Sequence, residues 1–227
     1  YARFDAQTLA LLGTETRLER VPIAANLRHD QLDTLITEEW LAQETPPALP
    51  DLPAGVQPAE LAFLYRLARH LKAQREVVRG KPETFNRPDY NFRLVHSDEA
   101  PLGDEPAGRE RVEISVRKRG APLDLIVAEA MILANSSWGQ WLAACGVPGI
   151  YRSQASLAPG VKVRMGTKAL PHAGIGVPAY AWSTSPLRRY TDLVNQWQII
   201  ACARHGKTAA LAAPFKPKAA ELFSIIS

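Results

Sequence analysis

The sequence predicts an α+β domain with a largely antiparallel sheet and long helices packed against it. Three observations carry this. Two strand-like runs, 90–97 and 109–118, follow one another with no helical pattern between them, which favours antiparallel pairing. Three helical segments open at Pro58, Pro122 and Pro186, the position where a missing N–H costs nothing. Helices and strands do not alternate strictly, as a parallel βαβ arrangement would require.

The elements follow in chain order. Residues 1–23 alternate loosely around Leu12-Gly13-Thr14-Glu15 and read as a hairpin. A short helix is expected over 30–41, with Leu32, Leu35, Ile36 and Trp40 on its buried side. The stretch 45–58 holds five prolines and reads as an irregular connector. From Pro58 a long helix runs to Gly80, a C′ residue by type. Its apolar stripe is Leu61, Leu64, Tyr65, Ala68 and Leu71, while Arg69, Lys72, Arg75 and Arg79 mark a charged side. A charged helix face is ordinarily solvated, and a stripe facing nucleic acid is the alternative.

The strand over 109–118 alternates Val112, Ile114 and Val116 with Arg111, Glu113, Ser115 and Arg117, so one face should be buried and the other wet. An acidic, Gly/Pro-containing turn over 102–108 joins it to the strand before. A helix spans 122–144 and stops at Gly146, a short strand follows over 149–152, and the last clear helix spans 186–204.

Composition excludes some classes and leaves others open. A chain of 227 residues can bury a real core, and 46% hydrophobic with 22% charged residues is ordinary for a soluble globular protein. The net charge of +4 fits a polyanionic partner without demanding one. Cys145 and Cys202 have no metal-type spacing, so a reducing, cytoplasmic setting is expected. No apolar stretch is long enough to cross a bilayer. No phosphate-cradling glycine loop, zinc-ligand spacing or acyl-transfer triad stands out. The aspartates, such as Asp89, Asp98, Asp104, Asp124 and Asp192, are scattered, and no residues of the chain read as metal ligands.

Two features do point to chemistry. Residues 183–190 read Ser-Thr-Ser-Pro-Leu-Arg-Arg-Tyr. Ser185 is a good N-cap and Pro186 a good first helical residue, so Arg188 and Arg189 should lie in the first helical turn. That is the positive end of the macrodipole, where cations make sense if an anion such as phosphate binds. The alternative is a surface pair between Arg188 and Asp192, spaced i, i+4. The second feature is Glu129, the one carboxylate in the run 125–134, a helix otherwise apolar on all sides and therefore expected to be buried all round. A buried carboxylate needs a partner. Either Glu129 pairs with one of the arginines, or it hydrogen-bonds a ligand hydroxyl. Asn135, beyond it on the same helix, could cap a loop or touch a ligand. His172, in a glycine-containing loop, is assigned no role.

Several segments resemble one family. Ala179-Tyr180-Ala181-Trp182, the octet at 183–190 and Thr191-Asp192-Leu193-Val194-Asn195 are similar to the signature of the ribonuclease II family, whose catalytic domain is the RNB domain. The run from Val127 to Asn135 and the run from Gly146 to Arg152 resemble that domain's central helix and strand. Arg87-Pro88-Asp89-Tyr90-Asn91-Phe92 and Arg20-Val21-Pro22-Ile23-Ala24-Ala25-Asn26-Leu27 resemble weaker family segments.

The resemblance implies an exoribonuclease that hydrolyses single-stranded RNA 3′→5′ to nucleoside 5′-monophosphates with Mg²⁺, and a monomer is expected. Arg188 would grip the phosphate at the scissile bond and steady its charge in the transition state. Glu129 would hydrogen-bond the ribose 2′-hydroxyl. Asn135, Tyr151, Arg152, Ser185, Arg189 and Tyr190 would be further RNA-contacting positions. His29 lies about where relatives carry an aromatic residue near the terminal nucleotide.

The sequence departs from the family pattern as well. The family's cluster of aspartates that holds Mg²⁺ is not in this chain, and neither are a later glutamate and the OB-fold modules that feed RNA. The chain is therefore expected to be a single partial RNB-like domain over 1–227, with the metal-binding segment upstream. The competing expectation is a catalytically inert RNB-like RNA-binding or scaffold protein. A phosphate-binding domain of unrelated fold is the third.

Overall fold

The computed structural model describes residues 1–27, 32–50, 52–84, 89–95, 111–117 and 120–226. The elements are β1 (Ala2–Phe4), β2 (Leu11–Thr14), α1 (Glu38–Leu41), α2 (Pro58–Arg79), β3 (Asp89–Val95), β4 (Arg111–Arg117), α3 (Pro122–Ala144), β5 (Tyr151–Ser153), β6 (Arg164–Gly166), α4 (Tyr190–His205), α5 (Ala209–Ala212) and α6 (Ala220–Ile226). The class is α+β as predicted, and every pairing between these strands is antiparallel. The strands form three separate two-stranded ribbons, β1–β2, β3–β4 and β5–β6.

The first hairpin turns at Asp5 rather than at Gly13. The Asp5 carboxylate accepts from the N–H groups of Gln7 (3.0 Å) and Thr8 (2.7 Å) and from the Thr8 hydroxyl (2.9 Å). A short acidic side chain can thus close the turn without glycine, and Gly13 lies within β2 opposite Arg3. The helix expected over 30–41 is divided. The N–H of Ile36 bonds the carbonyl of Leu32 (2.8 Å). Thr37 then adopts an extended conformation, and its hydroxyl caps α1 by accepting from the Trp40 N–H (3.2 Å). Threonine's side chain competes with the helix here and starts a new one. Residues 28–31, His29 among them, lie outside the described residues, as do Arg87, Pro88 and the acidic turn over 102–108.

Leu32, Ile36, Trp40 and Leu41 pack with Leu61 and Tyr65 of α2 and Leu123 of α3 in a first core cluster. Helix α2 has Pro58 in its first turn, and Gly80 closes it at φ 74°, its N–H bonding the carbonyls of Glu76 and Val77. Its expected charged side is only partly in water. Arg75 is 7% exposed and turns inward, because an acidic partner waits on α3.

The β3–β4 register sets Tyr90, Phe92 and Leu94 opposite Val116, Ile114 and Val112. Alternation thus identifies the apolar face correctly, but that face is open. All six residues are exposed, from 49% to 70%. A period of two shows which side chains share a face and says nothing about a covering layer.

Helix α3 corrects the expectation of a rod buried all round. Its inward residues include Glu129, Asn135, Ser136 and Gly139, whereas Val127 is 56% exposed. Polar residues face in because the partners that satisfy them lie on that side. Beyond α3, Gly146 takes φ 64° and releases the chain. Leu142 and Val147 pack on Ile199, Cys202, Ala209 and Ala213, and Ile150 packs on Val194 and Leu222. Cys145 lies beside the first of these clusters. Both cysteines are free thiols, and burial, with Cys145 adding to it, pushes the Cys202 thiol up to about 12. No helix among the described residues is long and apolar enough to cross a membrane.

Candidate functional site

The octet at 183–190 forms a tight turn ahead of α4. The N–H groups of Arg188 and Arg189 both donate to the Ser185 carbonyl, at 3.2 and 3.1 Å. The helix begins at Tyr190, with Arg189 as an extended N-cap. Both expectations for this start are therefore corrected. Ser185 does not cap with its side chain, and the arginines precede the helix instead of forming its first turn. Asp192, in the first turn of the helix, reaches back to the turn: its fully buried carboxylate accepts from the Ser185 N–H (2.8 Å), a donor that the Ser185 hydroxyl was not expected to serve.

Asp192 also receives Arg189, whose Nε and Nη2 reach Oδ2 and Oδ1 at 2.7 and 2.8 Å. The pair expected between Arg188 and Asp192 thus belongs to Arg189. These bonds hold the Arg189 guanidinium above its ordinary value. Arg188 is exposed and has no ion-pair or hydrogen-bond partner for its side chain among the described residues. Tyr190 is 58% exposed beside it, its ring meeting Trp197 edge-on.

Buried amides hold the octet in place. Asn135 accepts from the Ser183 N–H (2.9 Å) and donates to the hydroxyls of Thr184 (3.2 Å) and Tyr180 (3.3 Å). Asn195 accepts from the Ile150 N–H (2.7 Å) and donates to the carbonyls of Ile150 (2.9 Å) and Trp182 (2.8 Å). Gln196 donates to the Ser183 carbonyl at 2.6 Å. These side chains satisfy an irregular segment whose backbone has no sheet partner along its length. Gly139 permits the close approach of α3, since a Cβ there would lie 3.3 Å from the Ala181 nitrogen. Tyr151 is buried, donates to the Gly139 carbonyl at 3.0 Å, and is pushed up to about 12 by burial.

Two guanidiniums lie over the Trp182 ring, Arg152 at 4.0 Å and Arg189 at 4.5 Å from its centroid. Trp182 and Arg152 are both half-buried. Burial holds the Arg152 guanidinium below its ordinary value; the Arg189 charge pushes the same way and Tyr180 against it. Arg152 has no carboxylate partner among the described residues. His172, 4% exposed, meets Tyr180 edge-on at 5.9 Å, and its Nδ1 has no hydrogen-bond partner among the described residues. Burial, and then the charge of Arg152, lowers its pKa.

Glu129 stands apart from this group. Its carboxylate, 2% exposed, accepts from Arg75 Nε at 2.9 Å and, on its other oxygen, from Arg75 Nη2. Arg75 also donates to the Ile175 carbonyl (2.6 Å) and to Glu83 (3.1 Å). Of the two readings of Glu129, the structure supplies the ion pair. A ribose hydroxyl would reach the carboxylate only if it were uncovered. The structure therefore brings together Arg152, Arg188, Arg189, Ser185 and Tyr190, with Asn135 and Tyr151 behind them, and leaves Glu129 in a neighbouring buried network.

Among the described residues, no three His, Cys, Asp or Glu side chains come together to hold a metal ion. Asp192 and Glu129, the buried carboxylates of this region, are each engaged by an arginine. This donor set does not fit Mg²⁺.

The RNB domain family model matches residues 4–161 and 160–205. The chain belongs to the RNB domain family. An uncharacterized ribonuclease of Synechocystis sp. is 32% identical over 117 residues, which cover 42% of this chain and 17% of that protein. The fold is similar to that of an active-site mutant of the Dss1 exoribonuclease from Candida glabrata, with a TM-score of 0.56 and 21% identity over 78% of this chain and 25% of the other. Mycoplasma genitalium RNase R, solved with ribose-methylated single-stranded RNA, aligns at 15% identity over 88% of this chain and 35% of its own, with a TM-score of 0.49. This RNB chain spans about a sixth of the curated relative's length.

The sequence reading missed Arg75, Asn195 and Trp182 as organising residues of this RNB chain. Arg75 carried a signal, because a charged stripe beside an apolar helix with one carboxylate contains a possible pair. Asn195 carried none beyond its place in the family signature. A buried amide is recognised by the carbonyls it meets, and those lie 13 and 45 residues away.

Proposed function

We propose that this RNB chain is part of an exoribonuclease that hydrolyses single-stranded RNA 3′→5′ to nucleoside 5′-monophosphates, and that it contributes substrate grip and transition-state stabilisation. The observation that carries this reading is the state of Arg188. It is exposed, has no partner for its guanidinium among the described residues, and lies on a turn held by Asn135, Asp192 and Asn195. Such an arginine, mounted on a backbone held by buried side chains, is suited to meet the charge that develops on a phosphate in the transition state.

The family relationship and the fold support an RNA-degrading role for the parent protein. In this reading Mg²⁺ is the cofactor, with its ligands outside the described residues, and residues 1–227 form one partial domain. Arg75 and Glu129 serve by anchoring the loop at Ile175.

The test is degradation of 3′-labelled and 5′-labelled single-stranded RNA by the full-length protein with and without Mg²⁺. A 5′-labelled substrate that shortens progressively while the 3′ label is released at once as a mononucleotide supports the reading. RNA binding with no Mg²⁺-dependent shortening supports the inert RNA-binding alternative and removes the catalytic one.

A further inference from the structure

The β3–β4 ribbon leaves its apolar face uncovered. Tyr90, Phe92 and Leu94 stand opposite Val116, Ile114 and Val112, and all six side chains are exposed. Among the described residues the ribbon pairs with no other strand, and none of its residues belongs to a core cluster. A two-stranded hairpin is marginal in water by itself and normally needs a third strand or a layer packed on its apolar face. At these exposures the six side chains present on the order of 600 Å² of apolar surface, the upper end of what a monomer commonly leaves open.

Chemistry and area separate the candidate occupants. Single-stranded RNA is poorly matched. The face carries two aromatic rings and no charge, while Arg93, Arg111 and Glu113 lie on the opposite face, where Arg111 pairs with Glu113 at 2.9 Å. A polynucleotide stacked on the rings would find no cation on that face for its phosphates. A second copy is poorly matched by area. Two such faces packed together would bury at most about 1,200 Å², the lower limit for a stable interface, and only if two twisted ribbons overlaid completely. A segment of the same polypeptide is not held to that limit, because its tether supplies a high effective concentration and removes most of the entropy cost of association. A family relative carries ample polypeptide for this, since the aligned stretch is 17% of the curated ribonuclease.

We propose that the face formed by Tyr90, Phe92, Leu94, Val112, Ile114 and Val116 is a docking surface for an apolar segment of the same protein that lies outside residues 1–227. The segment should present aliphatic or aromatic side chains and bury no charge, since the face offers none to pair with it. This docking is independent of the role of Arg188.

Photo-crosslinking of the full-length protein identifies the occupant directly, with Phe92→p-benzoylphenylalanine irradiated in the absence of RNA. The expected product is an intrachain crosslink, mapped by peptide mass spectrometry to a segment outside residues 1–227. A crosslinked dimer assigns the face to a second copy, and no crosslink to protein leaves it open to water; either result overturns the proposal. So does a crosslink confined to residues 1–227. Hydroxyl-radical footprinting of the unaltered protein keeps the test valid if the variant does not fold. Tyr90 and Phe92 should be oxidised at least about tenfold more slowly than in the urea-unfolded protein, at every protein concentration and without RNA. Rates near the unfolded ones, or protection that appears only on adding single-stranded RNA or on raising the concentration, overturn the proposal.

Discussion

Arg75 and Glu129 form a bidentate ion pair between α2 and α3, and the same guanidinium reaches the Ile175 carbonyl at 2.6 Å. Burial disfavours the Arg75 charge, but the bonds and charge of Glu129, followed by those of Glu83, outweigh it and hold the guanidinium above its ordinary value. One side chain thus ties two helices to the loop that precedes the octet.

Removing one member leaves the other charge buried alone. Arg75→Met or Glu129→Leu should each cost about 3–5 kcal/mol, whereas the double variant should recover much of that loss. Urea unfolding of the four proteins measures the coupling. Additive losses would show that the pair contributes no mutual stabilisation.

Two glycines of the same loop separate backbone strain from side-chain crowding. Gly176 has φ 79°, and a Cβ there would lie 2.3 Å from the Arg75 carbonyl oxygen, a backbone atom that cannot yield. A Cβ at Gly174 would also meet an atom at 2.3 Å, but that atom is the end of the Gln154 side chain. Gly176→Ala should cost about 2 kcal/mol or more and Gly174→Ala clearly less. Thermal unfolding compares them directly, and equal losses would contradict this distinction.

Asn195 satisfies three backbone groups with one amide. Asn195→Ala should cost about 3 kcal/mol by leaving the Ile150 N–H and two carbonyls unpaired. Asn195→Asp should cost more, because a carboxylate would face the carbonyls of Ile150 and Trp182. Equilibrium unfolding ranks the two, and an aspartate better tolerated than alanine would contradict the assigned bonds.

His172 makes stability depend on pH. Burial, with Arg152 adding to it, holds its folded pKa below the unfolded value of about 6.5. Below that value the unfolded chain binds the proton more readily, so stability falls as pH falls and levels off beneath the folded pKa. Between pH 7.5 and 5, His172→Gln should lose less stability than the wild type, measured as the change in urea midpoint. Parallel losses in both proteins would remove His172 as the cause.

Local signals were legible in the sequence and cross-chain ones were not. Pro58, Gly80, Pro122 and Gly146 mark helix ends by backbone conformation alone, and all four act as read. Ser185 and Pro186 make a good local cap by type, yet α4 begins at Tyr190, and the buried Asp192 carboxylate reaches back to the Ser185 N–H from within it. Glu129 was legible as a carboxylate in need of a partner, but its choice of Arg75 depends on how α2 and α3 pack. The open face of β3–β4 follows the same logic, since alternation orders side chains within a strand and not the layers above it.

In the proposed function Arg188 serves the transition state. The most direct measurement is kcat and KM for single-stranded RNA degradation by the full-length protein carrying Arg188→Ala. kcat should fall at least about 100-fold while KM changes only a few-fold, the pattern of an interaction made in the transition state. A kcat equal to that of the unaltered protein would contradict it.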